Sequence, residues 1–200
     1  MIKKTFKNLE EIQPYFNKYN STYEFSENGQ LFDVVFDFDF CSDDYSISAN
    51  DLQARHIIAC NIEVTNSIRA TDININGYVI AGNTISTGII NSVHIQARHI
   101  KSSSVRCYAL KAKSIEADNI NAYEIKAGDI DVWDVCFAHK KFVCKTIKRC
   151  RDTSKYFCLN GDVVITGPER WASPMELLFY SVSGKKLWAS DCGLASEGKN

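Results

Sequence analysis

The fold is decided by residues 85–135, which read ISTGI-INSVH-IQARH-IKSSS-VRCYA-LKAKS-IEADN-INAYE-IKAGD-IDVWD-V. A bulky aliphatic residue stands first in every pentad, and a small residue stands two places later in most of them. A period of five fits neither the helical repeat of 3.6 residues nor the strand repeat of two over a long run. It predicts short extended segments that turn a corner after each pentad, as the coils of a β-solenoid do.

The repeat extends beyond this stretch in both directions. Pentads also begin at Ile47, Leu52, Ile57 and Ile62, and after a six-residue step the pattern resumes at Ile68. A seven-residue step precedes the uninterrupted pentads of residues 85–135, and another follows them. Bulges or small corner loops would produce such steps. We therefore expect the solenoid to occupy residues 46–139.

This period resembles that of the pentapeptide-repeat family, which are right-handed quadrilateral β-helices with four pentads in each coil. The chain is an Ile-x-Ala variant, because the family usually places a small residue first and Leu or Phe two places later. The resemblance implies an all-β, right-handed β-helix. Because some members imitate DNA and bind gyrase, it also implies a partner among nucleic-acid-processing enzymes. The number of pentads in each coil stays open for the variant.

A duplicated pentad is consistent with coils of twenty residues. The sequence QARHI of residues 53–57 recurs at residues 96–100, forty-three positions later. Two such coils and the three extra residues of the irregular steps account for this distance. The two copies are then expected on the same face, roughly 10 Å apart.

Caps are expected at both ends of the solenoid. Residues 1–45 predict a short helix, limited by Pro14, and a strand pair around Asn28-Gly29. Residues 140–200 predict a basic cap with a β-hairpin around Asn160-Gly161, a strand at residues 176–182 and a turn at residues 183–184. The stretch YFCLNG at residues 156–161 is similar to uncharacterised repeat proteins of Gram-positive bacteria and their phages.

Composition indicates a folded cytoplasmic protein. The chain starts without the apolar core of a signal peptide, no run approaches a membrane span, and its eight cysteines suggest free thiols in a reducing compartment. Charge is uneven along the chain. Residues 1–50 carry nine acidic and four basic side chains, whereas residues 140–200 carry six and eleven. We expect an acidic N-terminal end and a basic C-terminal end.

Three charged clusters are candidate binding surfaces. The acidic cap comprises Asp33, Asp37, Asp39, Asp43 and Asp44. The acidic coil face comprises Glu116, Glu124, Asp129 and Asp134. The basic patch comprises Lys140, Lys141, Lys145, Lys148, Arg149 and Arg151.

Pairing between coils is expected to neutralise much of the acidic coil face. A twenty-residue offset places Arg98 over Asp118, Lys111 over Asp131 and Lys113 beside Trp133. The acids of the cap would then be the unpaired ones. They are the stronger candidates for contact with a partner.

No catalytic or cofactor site is predicted. His56, His94 and His99 point outward, and no nucleophile keeps a fixed spacing to them. Four cysteines, Cys136, Cys144, Cys150 and Cys158, lie near His139 in the sequence, but they lack the Cys-x-x-Cys pair of a zinc site. We expect structural thiols, no metal, no cofactor and no enzymatic activity.

Three functions remain open. The first is a non-catalytic solenoid that binds a macromolecule, with a protein as the favoured partner; its concrete form is an inhibitor or partial DNA mimic acting on a gyrase-like enzyme or a phage-defence nuclease. The second is a scaffold that polymerises end to end, as bactofilin-like solenoids do. The third, ranked lower, is direct nucleic-acid binding through residues 140–151. The partner, the binding face and the choice between monomer and homodimer stay undetermined.

Overall fold

The computed structural model describes residues 2–167 and, beyond them, only the backbone of three two-residue strands. The chain forms a β-solenoid of about eight stacked coils. It is 69% strand and 4% helix, so the predicted all-β class is confirmed. No helix of the described residues is long and apolar enough to cross a membrane.

The helical segments are α1 (Leu9–Ile12) and a 3-10 turn (Gln13–Tyr15). The first strands are β1 (Lys3–Phe6), β2 (Phe16–Asn17), β3 (Thr22–Glu24), β4 (Ser26–Glu27), β5 (Gln30–Leu31), β6 (Asp33–Phe36) and β7 (Phe40–Ser42). Next come β8 (Ser46–Ala49), β9 (Leu52–Gln53), β10 (His56–Ala59), β11 (Ile62–Val64), β12 (Ile68–Arg69), β13 (Asp72–Ile75) and β14 (Tyr78–Ala81). The last are β15 (Thr84–Cys144), β16 (Thr146–Arg149), β17 (Lys155–Cys158), β18 (Val163–Ile165), β19 (Arg170–Trp171), β20 (Phe179–Tyr180) and β21 (Lys186–Leu187).

Each coil contains three pentads, which settles the number that the sequence left open and differs from the four of the pentapeptide-repeat family. Ile47 pairs with Ile62, fifteen residues later, and Ile62 pairs with Val79, seventeen residues later. The irregular steps in the sequence thus add one or two residues to a fifteen-residue coil. The five-residue period locates the corners, but it does not determine how many corners close one coil.

The three pentads form three flat faces of parallel strands. Face 1 contains β6, β9, β12 and β16, face 2 contains β7, β10, β13 and β17, and face 3 contains β3, β8, β11, β14 and β18. The long strand β15 winds through all three faces. Its residues Ile85, Ile90 and Ile95 stand on faces 1, 2 and 3 respectively.

The aliphatic columns form the core, as the sequence predicts. Within β15 the buried residues of the five-residue series are Ile85, Ile90, Ile95, Ile100, Val105, Leu110, Ile115, Ile120, Ile125 and Ile130. Val135, the last member of the series, is only partly buried, and Cys136 is buried in its place. One additional residue after Ile130 shifts the alternation of inward and outward side chains there.

The predicted N-terminal cap already belongs in part to the coils. Tyr23, Val34 and Phe40 pair in parallel register with Ile47, Leu52 and Ile57. Aromatic rings, including those of Phe6, Tyr15, Phe25, Phe32 and Phe36, pack at this end with centroids 5.3 to 6.4 Å apart. These rings cover the first coil, which would otherwise present an open hydrophobic end.

The hairpin predicted around Asn160-Gly161 is wrong. β17 and β18 do not pair with each other; each pairs in parallel with β15, at residues 135–138 and 142–144 respectively. The coils therefore continue to Ile165. Gly161 is needed at the corner because a Cβ atom there would overlap the carbonyl oxygen of Lys140. The strand and turn predicted at residues 176–184 lie outside the described residues, apart from β20.

The two copies of QARHI lie on different faces, so the prediction of a shared face is also wrong. Gln53 pairs with Arg69 on face 1, whereas Gln96 pairs with Ile80 on face 3. With coils of fifteen to seventeen residues, forty-three residues do not amount to a whole number of coils.

Candidate macromolecule-binding faces

Face 3 presents columns of basic side chains that stack from coil to coil. In the regular part of β15 the offset between coils is fifteen residues. The stacking of the Tyr108 and Tyr123 rings, with centroids 4.6 Å apart, indicates this offset. The same offset places Lys126 directly after Lys111 in the middle column of the face. Strands in adjacent coils lie about 4.8 Å apart, so the two lysines are close neighbours.

A second basic column follows the corner between faces 3 and 1. It begins with Arg98 and Lys113, which are also fifteen residues apart. Gly128 continues the column, because a Cβ atom added there would overlap the carbonyl oxygen of Lys113. The N–H of Lys145 then donates to the carbonyl oxygen of Gly128 at 2.7 Å. Lys141, which precedes the buried Phe142, adds a further charge to face 3.

We name these side chains the basic face; they are Arg98, Lys111, Lys113, Lys126, Lys141 and Lys145. All six are exposed. None of them forms an ion pair with a carboxylate of the described residues. The basic face therefore carries positive charge that no described carboxylate neutralises through an ion pair.

The charge pairing expected from a twenty-residue offset is wrong. Lys111 aligns with Lys126 and not with Asp131, and Arg98 aligns with Lys113 and not with Asp118. Like charges opposite each other in a sheet are destabilising. The basic face thus concentrates positive charge in the place where the sequence predicted neutral ladders.

The basic patch predicted over residues 140–151 is divided between faces. Lys141 and Lys145 belong to the basic face. Lys140 lies 3.9 Å from Glu124, with its Nζ atom 5.8 Å from the ring centroid of Tyr123. The other three members stand on or beside face 1, where Lys148 pairs in register with Asp131; they are Lys148, Arg149 and Arg151.

The four acids of the predicted acidic coil face do not share one face, and each has a partner. Glu116 accepts from Lys101 at 3.0 Å on face 1, and Glu124 faces Lys140 at the border of face 3. Asp129 accepts from Thr146 at 2.5 Å, and Asp134 from Arg151 at 2.9 Å. This group therefore offers little unpaired negative charge.

The acidic cap is partly occupied by internal contacts. Asp39 accepts from Arg55 at 3.1 Å, and this hydrogen bond lowers the pKa of the Asp39 carboxyl. Asp33 accepts from the side chain of Asn50 at 2.7 Å. The remaining three acids are exposed and form no ion pair with a described residue; they are Asp37, Asp43 and Asp44.

No family model matches this chain, and no curated protein or solved structure does either.

The histidines have partners that the sequence did not suggest. His99 Nδ1 lies 2.7 Å from the Ser114 hydroxyl, and His56 Nδ1 lies 2.9 Å from Asp72. In the column that contains His99, Asp129 follows Ser114, so the serine separates the histidine from the acid. A catalytic triad needs the acid on the far side of the histidine, and this order does not provide it.

Within the described part of the chain, no group of three or more His, Cys, Asp or Glu side chains is placed to hold a metal ion. Cys136, Cys144 and Cys158 are buried among apolar side chains, and Cys107 is partly buried. These thiols pack as small hydrophobic groups in the core.

Burial of these thiols leads to a test of the core. Burial raises the pKa of the Cys107 thiol to about 12 and raises that of Cys136 well above its usual range. Because alkylation needs the thiolate, both should resist iodoacetamide at about pH 8, whereas the exposed Cys41 should react. Mass spectrometry of the native and the urea-unfolded chain measures this difference. Rapid native modification of Cys136 would contradict the core described above.

Proposed function

We propose that the protein is a non-catalytic scaffold that binds a nucleic acid along the basic face. The observation that carries this proposal is the stacking of unpaired like charges, Lys111 with Lys126 and Arg98 with Lys113. The stacked cations within each column repel each other in the free protein, and a bound polyanion relieves that repulsion. Phosphate groups are the usual partners of clustered lysine and arginine on a regular surface.

The size of the basic face sets the expected strength of binding. From Arg98 to Lys145 the face extends over four coils, which is roughly 15 Å along the solenoid axis. Its six cations would contact about four to six phosphates. Without base-edge readout, such contacts give sequence-independent and salt-sensitive affinity.

The test is fluorescence anisotropy with a labelled DNA of about 20 nucleotides, at salt concentrations from about 50 to 200 mM. We expect binding at the lower salt, with a slope of log K against log salt of about −3 to −5. No binding of DNA at micromolar protein and low salt, or a slope near zero, would contradict the proposal.

The five-residue period further supports a relationship to the pentapeptide-repeat proteins, with three pentads per coil in place of four. We extend the proposal to a cytoplasmic site of action, where free thiols are stable and nucleic acid is accessible. The phage association suggested by the C-terminal sequence is compatible with such a role.

Inhibition of a nucleic-acid enzyme by DNA mimicry is the second candidate function. The observation in its favour is the exposed, unpaired group Asp37, Asp43 and Asp44. Against it, the acids predicted on the coils are each paired, and face 3 has the opposite charge. The variant Asp43→Asn/Asp44→Asn separates the two functions, because it should abolish an inhibitor contact and leave DNA binding unchanged.

A further inference from the structure

A shallow groove of about 210 Å³ follows the coils near the border of faces 1 and 2, away from the basic face. Small side chains, among them Ser86, Ser103 and Ala117, line it. The ion pair of Lys101 and Glu116 forms part of its wall. The groove also includes Asp118 and the indole of Trp133, which is 36% exposed.

Trp133 has different neighbours in the following coil and in the preceding coils. Arg151, from the following coil, places its guanidinium carbon 5.7 Å from the ring centroid and donates to Asp134 at 2.9 Å. Ser103 and Asp118 belong to the two preceding coils. The groove is therefore lined by Trp133 and by coils that precede it, whereas Arg151 comes from the coil that follows it.

The contact of Arg151 with Trp133 and Asp134 consists of a cation, an indole and a carboxylate. The groove contains the last two of these groups. An indole and a carboxylate, that of Asp118, line the groove, and no described cation forms an ion pair with Asp118. Asp118 is half-buried and has no hydrogen bond or ion pair with a described residue. Lys101 does not fill the role, because its ammonium group is held by Glu116 at 3.0 Å.

We propose that this groove binds an arginine side chain of a partner protein, with the guanidinium between the Trp133 indole and the Asp118 carboxylate. The charged residues that line the groove, Lys101, Glu116 and Asp118, have an excess of one negative charge, which a single cation neutralises. Tryptophan is the strongest cation–π partner among the aromatic residues, and the guanidinium plane stacks on it readily. Arg151 from the following coil already makes the same kind of contact with the Trp133 indole.

The test uses the indole Nε1–H signals of the ¹⁵N-labelled full chain in NMR. The chain has three tryptophans, and the variant Trp133→Phe identifies the signal of interest. The probe is Nα-acetyl-arginine methylamide, and the matched control probe is the neutral citrulline analogue. We expect the arginine probe to shift the Trp133 signal with a dissociation constant in the millimolar range, about 1–20 mM.

Asp118→Asn should weaken this binding by about fivefold or more, since it removes the charge and keeps the shape. Asp152→Asn, an exposed acid outside the groove, should leave it unchanged. Unchanged amide spectra in both variants show that the fold is intact. An equal shift with citrulline, wild-type affinity of Asp118→Asn, or no shift at about 100 mM probe would each overturn the proposal. The groove and the basic face share no residue. The result of this NMR experiment therefore neither supports nor contradicts the DNA-binding proposal, which has its own test.

Discussion

The double variant Lys111→Glu/Lys126→Glu is expected to bind DNA at least about 100-fold more weakly than the native chain at about 50 mM salt. The two lysines form the middle column of the basic face, where their charges are unpaired. The substitutions remove two phosphate contacts and place two carboxylates against the same phosphates. Fluorescence anisotropy with the labelled DNA measures the loss, and the slope of log K against log salt should also become shallower.

The matched control is Arg106→Glu/Lys155→Glu, which changes the net charge by the same amount on face 2. Both side chains are exposed and neither belongs to the basic face. We expect its affinity to fall by no more than about threefold, through the weaker overall field of the protein. An equal loss in the two variants would show that net charge determines binding, and it would contradict a specific basic face.

The variant Ile120→Asp is expected to lower the free energy of unfolding by about 4 kcal/mol or more. Ile120 is 1% exposed and lies in the middle of the face 2 core column. The substitution removes a buried aliphatic side chain and places a carboxylate among apolar neighbours. Because each coil contacts only the next ones, loss of one core position disrupts the stack on both sides.

Asn121→Asp is the control for this prediction, because it introduces the same residue one position further along the chain. Asn121 is exposed, so we expect a change within about 0.5 kcal/mol. Urea unfolding followed by circular dichroism compares the two variants with the native chain. Similar unfolding midpoints for both variants would contradict the assignment of inward and outward positions.

The sequence predicted the core of the solenoid well. A five-residue series of aliphatic residues has one physical explanation, which is a short strand followed by a corner, and the buried columns from Ile85 to Ile130 agree with it. The prediction fails at Val135, where one extra residue changes the alternation and buries Cys136. Position along the period thus predicts burial only while the coil length is constant.

The surface could not be predicted from the period, because surface neighbours depend on the coil length. An offset of twenty residues gives Lys111 the partner Asp131, whereas fifteen gives it Lys126, and the sign of the interaction reverses. One signal for the shorter coil was present in the sequence. Tyr108 and Tyr123 are fifteen residues apart, and their rings stack in the structure. A spacing of fifteen residues between two matching aromatic residues corresponds to three pentads, and it would have favoured the three-sided coil.

Lysine footprinting in the presence of DNA tests the basic face most directly. The native chain is acetylated with and without bound DNA, and mass spectrometry reports the modification of each lysine. We predict that DNA protects five lysines together, while Lys101 on face 1 and Lys155 on face 2 stay as reactive as in the free protein; the five are Lys111, Lys113, Lys126, Lys141 and Lys145. Protection spread evenly over all three faces, or an absence of protection at Lys111 and Lys126, would contradict the account.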